Sequence, residues 1–229
     1  MRRFIFAAMV VVAFLAFSCK GVEPVNRYPH MVANADPVSA GAIDAALDRS
    51  FSTRLQKVES EVIFYPRLNS VALEFRYETV RYRQFWDEPA RIQFAAALER
   101  YKTDYAGRNL LNNHRKTRGV YGKVSGRLEW EVFRLTRTRL SYPIIEMGYR
   151  FKENSPFFTT LMRSAKEEAA AMGADTVDSQ QITMYFTRAQ ADELVKLFDQ
   201  AYLMGLLGEI RSDNRDDSLL VDEYNEWEG

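Results

Sequence analysis

The stretch "PVSAGAIDAALDRSFSTRLQKV", residues 37–58, decides how the rest of the chain is laid out. Ile43, Leu47, Phe51, Leu55 and Val58 recur at spacings of four, four, four and three, the apolar stripe of an amphipathic helix. Asp36 before Pro37 matches an N-cap followed by proline in the first turn. Asp44 and Asp48 come early and Arg54 and Lys57 late, as a helix dipole prefers. The spacing predicts an N-terminal helix.

Working outward, two strands follow. Glu61 to Tyr65 is short and β-rich, Pro66 to Asn69 is a turn, and Val71, Leu73, Phe75 and Tyr77 alternate with smaller or charged neighbours. The alternation changes phase after Thr79, which predicts a bulge or twist near it. Asp87-Glu88-Pro89 opens a helix with Phe94, Leu98, Tyr101 and Tyr105 on one stripe, closed by Gly107. Leu128, Trp130 and Val132 then alternate, as do Ile145, Met147, Tyr149 and Phe151. Ser155-Pro156 reads as the cap of a helix carrying Phe158, Leu161, Ala165, Ala169 and Met172. A last strand, Ile182, Met184 and Phe186, leads into the capping box Thr187-x-x-Gln190 and a helix burying Ala191, Leu194, Phe198 and Ala201. The expected architecture over 37–208 is a single α+β domain. After the N-terminal helix the order is ββα-ββα-βα, giving an antiparallel sheet of about five strands with helices mainly on one face.

The amino terminus speaks of location. Arg2 and Arg3 precede an unbroken apolar run from Phe4 to Phe17. As a helix those residues reach only about 21 Å, short of a hydrocarbon core of about 30 Å, so residues 1–18 read as a signal peptide. Leu15-Ala16-Phe17-Ser18-Cys19 resembles the lipobox of bacterial membrane lipoproteins. It departs from the usual pattern at Ala16, where leucine is preferred, and at Phe17, where a small residue is. The resemblance implies that Cys19 is alkylated with diacylglycerol, freed by cleavage before it and acylated, palmitate being the usual label. Ala16-Phe17-Ser18 also suits an ordinary signal peptidase, which would cut the same bond without adding lipid. In lipoprotein sorting an aspartate after the cysteine favours the inner membrane; Lys20 therefore points to the outer one. Residues 19–36, with Pro24 and Pro29, read as a tether. The expected address is the bacterial cell envelope, anchored to membrane through Cys19, with the domain facing the periplasm or the exterior.

Cys19 is the only cysteine, which excludes an intramolecular disulfide and cysteine-based metal sites. His30 falls in the tether and His114 in a polar loop, and no nucleophile-elbow, zincin, P-loop or dinucleotide motif occurs. Neither a metal nor a cofactor is expected. Glu129 and Glu131 share one strand face and are the only candidates for an envelope hydrolase; partners such as Arg76, Arg81 or Arg150 across the strands explain them more simply. The charges balance over the chain but are segregated along it. Arg108, Arg115, Lys116, Arg118, Lys123 and Arg127 stand in 105–128 without one acidic residue, whereas 209–229 carries eight acids against two arginines. Export argues against a nucleic-acid partner, so the basic residues are candidates for contact with anionic lipid headgroups, and other envelope proteins are the alternative partners. In the tail, Leu220, Tyr224 and Trp227 are spaced to dock in a groove or on a partner. The aromatic residues read mainly as core, and as the lining of a lipid-carrying or lipid-sensing cavity in the alternative. The expected function is a binding or structural module, not an enzyme.

Overall fold

In the computed structural model, residues 31–48, 54–112, 116–132, 137–152, 154–168 and 176–209 are described. Among the described residues ten strands form one antiparallel sheet curled into a half-barrel, in the order β5-β8-β9-β10-β1-β2-β3-β4-β6-β7. They are β1 (Val38–Asp48), β2 (Leu55–Tyr65), β3 (Ser70–Tyr77), β4 (Val80–Asp87), β5 (Arg118–Ser125), β6 (Arg127–Val132), β7 (Arg139–Ser141), β8 (Ile144–Lys152), β9 (Ser155–Met162) and β10 (Ile182–Phe186). Helix α1 (Glu88–Ala106) lies between β4 and β5, and α2 (Arg188–Phe198) follows β10, with residues 200–209 helical after it.

The α+β arrangement of about five strands is thus overturned, beginning with the stretch at 37–58. A spacing of four is a multiple of two, so Ile43 and Leu47 share a face of a strand as readily as of a helix. Ala45 is buried with them, and Val58, Ser60, Val62 and Phe64 continue the alternation in β2. β1 and β2 pair from Val38↔Phe64 to Asp48↔Leu55, and Phe51 lies outside the described residues. The second error is β9. Ser155-Pro156 imitates a helix start, but Phe157, Phe158, Thr159 and Thr160 are aromatic or β-branched and suit a pleated sheet. Ala169 and Met172, expected on that helix, lie outside the described residues. The phase change near Thr79 is a tight turn: Tyr77 pairs with Val80, and Glu78 takes a left-handed φ of 54°. The bulge sits in β1 instead, between Ser39 and Gly41, where Gly41 has φ 137°, a region that side chains rarely tolerate.

β5 and β6 are separated only by Gly126, and β7 and β8 only by Tyr142 and Pro143. They are the halves of one long bent hairpin, held at the bend by Gly126 N–H donating to the Pro143 carbonyl at 2.9 Å. A Cβ on Gly126 would stand 2.4 Å from Cδ1 of Ile145, so a larger residue there would force that side chain to move. β6 pairs with β4 and β8 with β9, so the ladder of neighbours passes through the hairpin and returns by β10 to β1.

The inner face is mainly apolar: Val62, Phe64, Leu73, Trp86, Leu128, Ile145, Phe158 and Phe186 are each buried, with Ser60 and Gln84 as polar residues among them. α1 and α2 lie antiparallel across one rim and close it with rings. Phe94 packs against Phe158 at 5.2 Å, Phe198 at 5.3 Å and Trp86 at 5.5 Å. Such edge-to-face pairs add about 0.5–1.5 kcal/mol each to the burial itself. Because every pairing is antiparallel, the start of β1, the turn at 66–69, the end of β4, the β8–β9 turn and the end of β10 share that rim. The chain enters there too: Val32 N–H donates to the Pro66 carbonyl at 3.0 Å, and Arg67 Nε to Asn34 at 2.9 Å.

Candidate functional site

Where α1 ends and α2 begins, the rim opens into a cleft of about 540 Å³ lined by Tyr105, Arg108, Leu110, Phe151, Pro156 and Arg188. Gly107 caps α1, its N–H directed at the Thr103 and Tyr105 carbonyls, and the next residue, Arg108, adopts a left-handed φ of 58°. That conformation costs a residue with a Cβ about 1–2 kcal/mol, so an arginine is held where glycine would be cheaper. Across the cleft, Thr187 and Gln190 form the expected capping box and start α2, whose first residue is Arg188. The Arg188 guanidinium stacks over the Tyr105 ring at 3.9 Å. Tyr101 steadies the floor by donating to the Pro156 carbonyl at 3.0 Å.

Neither Arg108 nor Arg188 is in an ion pair among the described residues. Carboxylates on the same helices are engaged elsewhere: Asp192 by Lys102 at 2.9 Å, and Asp104 by the Tyr121 phenol at 2.7 Å. Two guanidiniums beside aromatic and aliphatic side chains suit a phosphate or carboxylate with an apolar remainder.

The six basic residues singled out between 105 and 128 do not form one patch. Arg108 lines the cleft. Arg118 opens β5 opposite Arg150, and Lys116 is exposed beside it. Lys123 pairs with Glu146 at 3.0 Å, and Arg127 lies over the Phe85 ring at 5.0 Å and bonds Glu129. Nine residues of strand put Arg127 about 30 Å from Arg118. Arg115, His114, His30, Cys19 and the tail residues Leu220, Tyr224 and Trp227 lie outside the described residues. Arg188 escaped the sequence reading because it is remote from the basic run in sequence; its one local signal was the capping box.

Glu129 and Glu131 stand on the outer wall in a ladder of opposite charges. Arg83 bridges Glu74 at 2.9 Å and Glu129 at 3.0 Å, Arg81 also bonds Glu74, and Thr138 donates to Glu131 at 2.5 Å. The space beside the pair is about 10 Å³, at most one water molecule. A hydrolase would need both in a concave site with one carboxyl raised; the geometry offers a propped sheet face. A larger trough of about 860 Å³ over the outer wall carries both signs, from Glu59, Glu61, Arg76 and Arg81. Among the described residues no group of three or more His, Cys, Asp or Glu side chains could hold a metal ion. No helix among them is long and apolar enough to cross a membrane.

No curated protein and no solved structure matches the chain. A family model described as "Uncharacterised Treponema protein" matches residues 39–204, which span the sheet from the second residue of β1 to the end of β10, with α1, α2 and both cleft arginines. The chain belongs to that family of uncharacterised Treponema proteins.

Proposed function

We propose that this is a lipid-anchored cell-envelope protein whose half-barrel works by binding, with the Arg108–Arg188 cleft as the seat of an anionic ligand. The observation that carries it is the pair of guanidiniums left without carboxylate partners, among the described residues, beside an aromatic cleft. The location rests on the apolar run before Cys19 and the lipobox-like residues 15–19, and Lys20 favours the outer membrane, with the domain in the periplasm or outside. Several acyl chains, at about 0.8 kcal/mol per buried CH₂, make such an anchor lasting.

Metabolic palmitate labelling tests the anchor. Label on the wild type and none on Cys19→Ala supports it; an unlabelled wild type removes it. Titration with monomeric dodecyl phosphate tests the cleft. The Arg108→Gln/Arg188→Gln double variant is expected to bind at least about tenfold more weakly, which corresponds to about 1.4 kcal/mol.

A further inference from the structure

We infer that the cleft docks on the anionic headgroups of the same membrane that carries the anchor, so that the domain lies against the surface instead of hanging from it. This rests on the lipid-anchored reading and adds what the cleft binds.

The rim is polarised. Arg108 and Arg188 mark the end where α1 finishes and α2 starts; Arg118 and Arg150 pair across β5 and β8 near the same edge, on the strand face opposite to Phe151. Asp87, Glu88 and Asp199 gather at the other end, where α1 starts and α2 finishes, with Arg91 and Lys196 among them. The 19 residues of α1 set those ends about 28 Å apart. An anionic surface therefore attracts the cleft end of the mouth more than the other, which sets a tilt as well as an affinity.

The chain supplies the proximity. It joins the half-barrel on this rim, pinned to the 66–69 turn through Val32, Asn34 and Asp36. Cys19 is twelve residues before Met31, a reach of about 40 Å at full extension. A domain of this length is itself about 40 Å across. The anchored rim thus stays within one domain width of the headgroups, and attraction by the arginines has only to turn it.

The test uses the full lipidated protein reconstituted into vesicles of phosphatidylcholine, with and without phosphatidylglycerol, and follows amide hydrogen exchange in residues 108–112. Flotation with both vesicle types reports the anchor separately. The expected result is exchange slowed about fivefold or more on the anionic vesicles alone, with the slowing lost in Arg108→Gln/Arg188→Gln. Equal exchange on both vesicles, with the protein floating, would overturn the docking and leave the anchor standing. Equal slowing by inorganic phosphate without anionic lipid would assign the cleft to a soluble anion and overturn it as well. Slowing in detergent alone that disappears on truncation after Glu209 would show the cleft held by the chain's own acidic tail, the third contrary outcome. Failure to float would strike the anchor on which the inference rests.

Discussion

Arg91 shows how much a single side chain can hold in this protein. It is 3% exposed, yet its guanidinium reaches Phe198 O at 3.1 Å, Gln200 Oε1 at 2.8 Å and Asn69 Oδ1 at 3.3 Å. It therefore ties α1 to the end of α2 and to the β2–β3 turn. Burial lowers its pKa, with Glu88, Asp87 and Asp199 acting in the opposite direction. Arg91→Met would leave the Phe198 carbonyl and Asn69 without their donor, and is expected to cost about 2–4 kcal/mol, read from the urea midpoint. Glu146 makes a pH-dependent contribution. Burial pushes its carboxyl up, but hydrogen bonds from Lys123 and Arg163 outweigh that and hold it below its ordinary value of 4.5. A depressed carboxyl stabilises the fold above its unfolded pKa and loses that contribution as pH falls through the folded one. Wild type should therefore lose more stability than Glu146→Gln on acidification below about pH 4.5, and parallel acid unfolding curves would refute the assignment. Neither residue stood out in the sequence: Arg91 lies one place from exposed Ile92, and Glu146 gains its partners only when β5, β8 and the residue after β9 meet.

At the scale of elements, what the sequence revealed was whatever local chemistry determines. Asp87 caps α1 by accepting from Ala90 N–H at 2.9 Å, and Thr187 with Gln190 caps α2, both as read from the residues. The alternating runs at 71–77, 128–132, 145–151 and 182–186 are all strands. The misreadings fell where periodicity is degenerate, at Ile43 and Leu47, and where Ser155-Pro156 copied a cap in front of a β-prone run. The hairpin across Pro66 to Asn69 was legible, but the pairing of β5 to β8 was not, because the bend at Gly126 is set against Ile145 across the hairpin. Gly126→Ala is expected to cost about 1–3 kcal/mol through that close approach, and Ile145→Val, by removing Cδ1, to recover part of it in a double-mutant cycle. Strictly additive losses would show that the bend does not depend on this contact. Phe94→Ala should cost about 3–5 kcal/mol, since its ring touches four others at the mouth.

For the whole molecule, the half-barrel joins an aromatic interior to an outer wall laced with ion pairs, and leaves two arginines at the mouth outside any ion pair among the described residues. The interior has an alkaline signature. Burial pushes Tyr82 and Tyr101 up to about 12 from an ordinary 10.0. It also raises Tyr121 and Tyr185, with Asp104 and Asp48 adding to the effect. Groups with raised pKa values contribute stability below the unfolded value and lose it as pH climbs toward the folded one. Tyrosinate absorbance should therefore rise in two phases above pH 10, the second coinciding with loss of the near-ultraviolet circular dichroism; a single smooth rise in a folded protein would contradict this. The candidate site was half legible, since the basic run contained Arg108 but its partner stood at the start of α2. The central claim is that binding belongs to the cleft and not to the basic run. Dodecyl phosphate titrated into wild type, Arg108→Gln/Arg188→Gln and Arg127→Gln, all checked for folding, separates the two. The cleft predicts at least about tenfold weaker binding for the double variant and unchanged binding for Arg127→Gln, whose side chain is already held by Glu129. Equal weakening in both, or none in either, would contradict it.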